Sequence, residues 1–128
     1  MSIAELKPTE SELEILQIIW FKKEATVREV HDTLAKKKTV GYTTTLKLMQ
    51  IMFEKGLLTR NTDTKSHLYE AAVSQDKTQK LMLNKVIDSL FLGSSVDLVM
   101  QALGNKKTSK KDLDQIRKYL KQLDKKGK

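Results

Sequence analysis

The sequence predicts a mainly α-helical chain, with a winged helix-turn-helix in residues 1–73 and an all-helical dimerisation domain in residues 74–128. Three observations support this fold class. Two capping signatures and a glycine delimit three consecutive helices, two strand-like runs follow them, and every apolar stripe after Ser74 has helical spacing. The 128 residues are enough for one ordinary domain, or for a small core with a second helical unit attached.

The first two helices are predicted from two capping boxes, Thr9-Glu10-Ser11-Glu12 and Thr26-Val27-Arg28-Glu29. In each box a threonine hydroxyl and a glutamate three residues later satisfy the free amides of a helix start. Apolar stripes at intervals of three and four follow, with Leu13, Leu16, Ile19 and Trp20 in helix one and Val27, Val30 and Leu34 in helix two. Helix two runs into Lys36-Lys37-Lys38, and lysines favour a helix C-terminus.

A third helix is predicted after Gly41, with Thr43 as its cap and Gly56 just beyond its end. Its apolar residues recur at helical spacing: Leu46, Met49, Met52 and Phe53. A second face carries short polar side chains and a lysine, which can reach phosphates and base edges of DNA: Thr43, Thr44, Lys47 and Gln50. We therefore expect one face of this helix to pack and the other to read DNA.

Two strand-like runs, residues 57–60 and 67–70, flank a polar segment suited to a hairpin tip. Three helices followed by a hairpin describe a winged helix-turn-helix, whose second motif helix meets base edges while the flanking turn and wing grip phosphates. We predict base-edge or thymine-methyl contacts from Thr43 and Thr44, and a phosphate or guanine contact from Lys47. Secondary contacts are predicted from Lys38, Tyr42 and Gln50. In the wing, Lys65 is expected on the DNA backbone or in the minor groove, with Arg60, His67 and Tyr69 assisting, unless Tyr69 packs in the core.

The tail predicts self-association. Its three stripes comprise Leu83, Val86, Ile87 and Leu90, then Val96, Val99 and Leu103, then Leu113, Ile116, Leu120 and Leu123, with breaks expected at Gly93-Ser94-Ser95 and Gly104-Asn105. Isolated helices of this length are marginal in water, so the stripes need a partner surface. A second copy of the chain is the most economical partner, which predicts a homodimer.

Charge and composition narrow the function classes. The net charge is +8, and it changes sign along the chain, from −3 over residues 1–35 to +5 over residues 36–60, where the third helix lies. There is no cysteine, no phosphate-cradling glycine loop and no pairing of His31 or His67 at metal-ligand spacing. We therefore expect no cofactor, no metal and no enzyme activity. No run approaches the roughly 20 apolar residues of a membrane span, so a soluble, cytoplasmic protein is expected.

Several of these segments together resemble the penicillinase-repressor (BlaI/MecI/CopY) family. The resemblance is carried by Gly41-Tyr42-Thr43-Thr44-Thr45-Leu46, by Glu54-Lys55-Gly56-Leu57, by Tyr69-Glu70-Ala71-Ala72-Val73-Ser74, and by Ile19-Trp20 at the close of helix one. It covers nearly the whole chain. The resemblance implies a homodimeric repressor that binds a palindromic promoter element, with an N-terminal winged helix on double-stranded DNA and a C-terminal helical dimerisation domain.

The sequence also departs from the family's pattern. Antibiotic-sensing members are cleaved by a regulatory protease at an asparagine-phenylalanine bond, and the matching position here is Gln101-Ala102. Copper-sensing members use a C-terminal cysteine cluster, which this chain lacks. Many members carry an arginine on the reading helix where this chain has Ile51. The releasing signal, the operator and the target genes stay open at this point.

Two other functions are compatible with the same pattern. Winged helices also serve as protein–protein interaction modules without specific DNA binding, so the fold does not by itself establish a DNA contact. The basic final helix could instead attach the chain to a membrane surface. The locally basic segment, the polar face of the third helix and the self-associating tail together favour the repressor.

Overall fold

The computed structural model describes residues 7–63, 65–105 and 107–127. In chain order its elements are α1 (Glu10–Lys22), α2 (Val27–Ala35), α3 (Tyr42–Lys55), β1 (Leu58–Asn61), β2 (Leu68–Ala71), α4 (Gln75–Leu90), α5 (Ser95–Asn105) and α6 (Lys110–Lys126). The fold is mainly helical, with a winged helix-turn-helix followed by three further helices, as the sequence predicted. The chain divides into two compact units, and the boundary after Asn84 falls within α4.

Both predicted capping boxes are present. At the start of α1, the Glu12 amide donates to Thr9 Oγ1 at 3.2 Å and the Thr9 amide donates to Glu12 Oε1 at 2.9 Å. At the start of α2, Glu29 and Thr26 make the same pair of hydrogen bonds at the same distances. Two of the free amides of each helix are therefore satisfied from within the chain.

The start of α3 differs from the prediction that Thr43 caps it. The residue that precedes the helix in extended conformation is Gly41, and no side chain caps this end. Thr43 already lies in the first turn, because the Gly41 carbonyl accepts the first helical bond, from the Thr45 amide at 3.2 Å. The predicted end of the helix is confirmed, since Gly56 follows Lys55 in the left-handed region with φ of 88°.

The wing is an antiparallel pair of strands in which Leu58 pairs with Ala71 and Asn61 with Leu68. Each strand begins one residue later than predicted, and Thr64 at the hairpin tip lies outside the described residues. A further bridge, which the sequence did not predict, joins Ala25 to Tyr69 through two backbone hydrogen bonds of 3.0 and 2.8 Å. This bridge fixes the wing to the segment between α1 and α2.

The core of the first unit lies between α1, α2, α3 and the wing. Its most completely buried apolar residues are Ile15, Leu16, Ile19, Val30, Met49, Met52 and Leu57. Two polar contacts lie at the edges of this core. Lys55 Nζ donates to both carboxylate oxygens of the buried Glu12, at 2.8 and 2.9 Å, and Trp20 Nε1 donates to the Val73 carbonyl at 3.0 Å. The α3 helix is thus anchored to α1 at its C-terminal end.

The second unit has little core of its own. In the described parts of α5 and α6 no residue is buried. The break predicted at Gly104-Asn105 begins just after these residues, because both residues belong to the last turn of α5, which ends at Asn105, and α6 begins at Lys110. Among the described residues no single helix is long and apolar enough to cross a membrane; only the bent pair of α4 and α5 meets the length and composition criteria when both are taken together.

Candidate nucleic-acid interface

The candidate interface centres on the solvent-facing side of α3. Thr43, Thr44, Lys47 and Gln50 are all exposed, whereas Thr45, Met49 and Met52 on the other side of the helix are buried. Burial thus follows the helical period, and the polar side chains share the face that the core leaves free. This face presents hydroxyls, an ammonium and an amide, which are groups that can bond phosphates and base edges.

The first turn of α3 is held in place by α2. Thr45 is only 1% exposed, and its hydroxyl donates to the Gly41 carbonyl at 3.4 Å. The same hydroxyl lies 3.3 Å from Nδ1 of His31, on α2. The His31 ring meets Tyr42 edge to face, with ring centroids 5.6 Å apart and an angle of 79° between the ring planes. His31 therefore packs between α2 and the first turn of α3.

Arg28 joins this arrangement, although the sequence reasoning gave it no functional role. Its guanidinium carbon lies 4.3 Å from the centroid of the Tyr42 ring, within the range of a cation–π contact. Arg28 stands in the first turn of α2, inside the capping box. Its one sequence signal was that it is the sole lysine or arginine between Lys23 and Lys36.

A concave, polar cavity of about 340 Å³ lies where α2, α3 and the wing meet. Its lining comprises Thr26, Val27, Arg28, Tyr42, Leu46, Gln50, Arg60, Lys65, Ser66, His67 and Tyr69. The structure therefore brings Tyr42 and Gln50 of α3 together with Arg60, Lys65 and His67 of the wing. Among the described residues of this lining none is a carboxylate, so the cavity favours an anion.

Two of the predicted wing contacts are fixed by packing. The Arg60 guanidinium carbon lies 4.2 Å from the centroid of the Phe53 ring, and its Nε is buried without a hydrogen-bond partner among the described residues. Tyr69 is only 2% exposed and belongs to the core. The assistance expected from Tyr69 at the DNA is therefore wrong, and the packing alternative is confirmed.

Lys38 is not among the residues that line this cavity. Its Nζ donates to Glu14 Oε1 at 2.9 Å, in an ion pair whose side chains are both about two-fifths exposed. The Glu14 carboxylate offsets part of the charge that Lys38 could offer to a phosphate. Elsewhere, a hydrogen bond from the Thr26 amide lowers the pKa of Glu29, which keeps this carboxylate ionised within the cap of α2. Among the described residues no cluster of three or more histidine, aspartate or glutamate side chains could hold a metal.

The apolar stripes predicted for self-association remain largely exposed in the single chain. Leu83, Val86, Leu90, Leu120 and Leu123 are between 40% and 71% exposed, and Ile87, Leu113 and Ile116 are half-buried. Leu92 in the α4–α5 connection is 93% exposed. Gln101 and Ala102 lie within α5, and both are exposed.

Comparison with known proteins identifies the family. The family model described as penicillinase repressor matches residues 8–122. The penicillinase repressor of Staphylococcus aureus is 27% identical over 120 residues, which cover 91% of this chain and 92% of that protein. The methicillin resistance regulatory protein MecI of Staphylococcus aureus strain N315 is 26% identical over 114 residues, covering 86% of this chain and 89% of that protein.

The fold of the first unit has a solved counterpart. The solution structure of the DNA binding domain of the repressor BlaI superposes with a TM-score of 0.51 and 21% identity, over 59% of this chain and 90% of that chain. This likeness supports the winged helix-turn-helix architecture. Because the family model covers most of the chain, the protein belongs to the penicillinase repressor (BlaI/MecI) family of non-enzymatic, DNA-binding transcriptional repressors.

Proposed function

We propose that two copies of this chain bind a palindromic promoter operator through their α3 helices and repress transcription by occupying the promoter. The observation that carries the proposal is the exposed polar face of α3, with Thr43, Thr44 and Lys47 over its first two turns. In a helix-turn-helix protein these are the positions that meet base edges in the major groove. Promoter occupancy requires the compartment that holds the DNA, which in a bacterial cell is the cytoplasm.

The residues divide by the chemistry that each can offer to a duplex. Thr43 and Thr44 carry a hydroxyl for base edges and a methyl for thymine, and Lys47 carries an ammonium for a phosphate or a guanine. Gln50, Arg60, Lys65 and His67 line the adjoining cavity, where they are suited to the DNA backbone. Lys38 is a weaker candidate because of its ion pair with Glu14.

The second half of the proposal is a homodimer formed by the three C-terminal helices. Its support is the exposure of several long apolar side chains on α4 and α6. Burial of apolar surface in a dimer interface stabilises the dimer by about 25 cal/mol per Å². A symmetric dimer presents two reading helices to half-sites about one duplex turn apart. A palindromic operator is the DNA counterpart of that symmetry.

Release from the operator is the least constrained step. The Gln101–Ala102 bond, at the position matching the cleavage site of antibiotic-sensing relatives, lies inside α5. A protease needs local opening of a helix before it can cut there. We therefore propose that the releasing signal acts by some means other than cleavage of an asparagine-phenylalanine bond, which this position lacks.

The test starts from a library of random duplexes, because the operator is unknown. Full-length protein is used to select bound duplexes, and the affinities of the enriched and a scrambled duplex are then compared at several salt concentrations. We expect an inverted repeat to be enriched, with affinity at least a thousandfold above that for the scrambled duplex. Equal affinity for every duplex would reject sequence-specific repression, and no binding to any duplex would instead favour a protein-interaction module.

The matched variants are Thr44→Ala on α3 and Thr59→Ala, an exposed threonine on β1 outside the cavity lining. The loss of one base contact weakens the binding free energy by about 1–3 kcal/mol at each half-site of the operator. Thr44→Ala should therefore lower the ratio of operator to scrambled affinity by roughly tenfold or more, whereas Thr59→Ala should leave the ratio unchanged. An unaltered ratio in Thr44→Ala would remove Thr44 from the reading face.

A further inference from the structure

We infer that Arg28 is a DNA-backbone contact, held in position by its stacking on Tyr42, and that Tyr42 is therefore a positioning residue rather than a reader of bases. The ligand that this pair would take is a phosphodiester group of the bound duplex. The inference deepens the proposed function and rests on it. It adds a contact from α2, an element to which the sequence pattern assigned no DNA-contacting residue.

The first support is a chain of contacts that runs from the core to Arg28. Thr45 is almost fully buried and lies 3.3 Å from His31, whose ring meets the edge of Tyr42. The Tyr42 ring in turn lies 4.3 Å below the Arg28 guanidinium carbon. An arginine side chain that already rests on an aromatic ring loses less rotamer freedom when it binds a ligand than one free in solvent.

The second support is that the Arg28 guanidinium has no ion-pair partner among the residues that the structure describes. Within the described parts of the chain no salt bridge involves Arg28, whereas Lys38, Lys55 and Arg117 are each paired with a carboxylate. Arg28 borders the cavity that also receives Lys65 and His67 from the wing, and no described carboxylate lines it. The planar guanidinium presents two parallel N–H donors, which match the two free oxygens of a phosphodiester.

The third support is that part of the Tyr42 ring is already occupied by contacts within the protein. Tyr42 is 36% exposed. One ring face is covered by Arg28, and the ring is also engaged by His31. A base that stacked on the ring face covered by Arg28 would have to displace Arg28. The contact with Arg28 therefore supports a positioning role for Tyr42.

The test is the salt dependence of binding by full-length variants, on both the selected operator and an unrelated duplex. Each phosphate contact contributes a slope of about 0.9 to the fall of log affinity with log salt. A dimer of Arg28→Gln loses two such contacts, so the slope should become shallower by about 1.8. The ratio of wild-type to variant affinity should then be about 12-fold larger at 50 mM than at 200 mM salt. The loss should be equal on both duplexes, because a backbone contact does not read sequence.

The matched control is Arg117→Gln, which removes an exposed arginine of α6 and should leave the slope unchanged. Tyr42→Phe keeps the ring and should bind as the wild type does, whereas Tyr42→Leu removes the stacking surface and should lose affinity and slope as Arg28→Gln does. The double variant of Arg28→Gln and Tyr42→Leu should be no weaker than Arg28→Gln alone, because both changes remove the same contact. The folded state of each variant is checked by the fluorescence of Trp20, the single tryptophan.

The outcomes separate this inference from the proposed function. If the wild type binds no duplex, the proposed function fails and the inference fails with it. If the wild type selects an operator while Arg28→Gln keeps the wild-type slope, only the inference is overturned. The positioning role of Tyr42 would be overturned if the affinity losses of Arg28→Gln and Tyr42→Leu added up in the double variant. It would also be overturned if Tyr42→Phe bound DNA as weakly as Tyr42→Leu. Should Tyr42→Leu not fold, the slope of Arg28→Gln and the affinity of Tyr42→Phe still decide the two claims.

Discussion

The buried ion pair between α1 and α3 predicts a pH-dependent loss of stability in Glu12→Gln. Glu12 is 2% exposed, and its carboxylate accepts hydrogen bonds from Lys55 Nζ at 2.8 and 2.9 Å and from the Thr9 amide at 2.9 Å. Glutamine preserves the shape but has one carbonyl oxygen in place of two charged oxygens. It therefore leaves the ammonium beside a neutral amide and weakens the capping box of α1.

The size of the effect follows from these bonds. A hydrogen bond to a charged group contributes about 1.5–3 kcal/mol, and a helix cap contributes about 0.5–2 kcal/mol. The Lys55 side chain is 39% exposed, so it can turn towards water and recover part of the loss. We expect Glu12→Gln to lower the free energy of unfolding by about 2 kcal/mol at neutral pH. With a urea dependence of about 2 kcal/mol per molar, the unfolding midpoint should fall by roughly 1 M.

The dependence on pH has a defined sign. Burial of the Glu12 carboxyl raises its pKa, but the hydrogen bonds and charge of Lys55 and the Thr9 amide outweigh burial, so the pKa lies below its usual range. A carboxyl with a lowered folded-state pKa stabilises the fold above its unfolded pKa, and this stabilisation is lost as pH falls through the folded-state value. The difference between wild type and Glu12→Gln should therefore be largest at neutral pH and should shrink in acid.

The assay is urea unfolding followed by Trp20 fluorescence, which reports on the first unit because Trp20 lies in α1 and bonds the Val73 carbonyl. Glu29 also has a lowered pKa, but it titrates in both proteins and cancels in the difference. The control is Asp76→Asn, which removes the pair with Lys80, whose side chains are both 73% exposed; its midpoint should hardly move. Equal stability of wild type and Glu12→Gln at pH 7, or a difference that does not shrink in acid, would refute this account.

Two further predictions concern the core and the tail. Met49→Ala should destabilise the first unit by about 2–5 kcal/mol in the same urea assay, because Met49 is fully buried. The control is Met100→Ala, at a residue that is 67% exposed, which should leave stability unchanged. Equal effects of the two changes would contradict the assigned core. Leu120→Asp should convert the proposed dimer into monomers in sedimentation equilibrium, while Gln122→Asp, on the opposite side of α6, should not. A persistent Leu120→Asp dimer would exclude this stripe from the interface.

Local patterns in the sequence predicted most of the fold. Both capping boxes, the glycine after Lys55 and the apolar spacing depend on neighbours within a few residues, so the pattern alone contains them. The start of α3 was misassigned because threonine and glycine rank about equally as helix caps, and sequence alone does not show that the extended residue here is Gly41. The bridge between Ala25 and Tyr69 joins residues 44 positions apart, and no local signal marks such a pairing.

The candidate site was predicted only in part, for a related reason. Thr43, Thr44, Lys47 and Gln50 could be assigned to one face because helical spacing fixes which residues share a side. The contact between Arg28 and Tyr42 could not, because it depends on how α2 crosses α3. The burial of Tyr69 and the ion pair of Lys38 likewise depend on tertiary packing. The chemical type of these two residues suggested a DNA contact, but their packing makes each of them less accessible to DNA than the sequence indicated.

The uncapped start of α3 gives up some helix stability and leaves backbone N–H donors free to bind a ligand. The first two helices occupy some of their N-terminal amides with threonine and glutamate oxygens, while α3 begins after a glycine with no acidic residue in its first turn. A serine or aspartate cap there would stabilise a helix by about 1 kcal/mol over an alanine, but by only a few tenths over glycine. By giving up that small gain, the chain keeps these N–H groups free of an internal competitor, so an incoming polyanion meets donors that need not first be released.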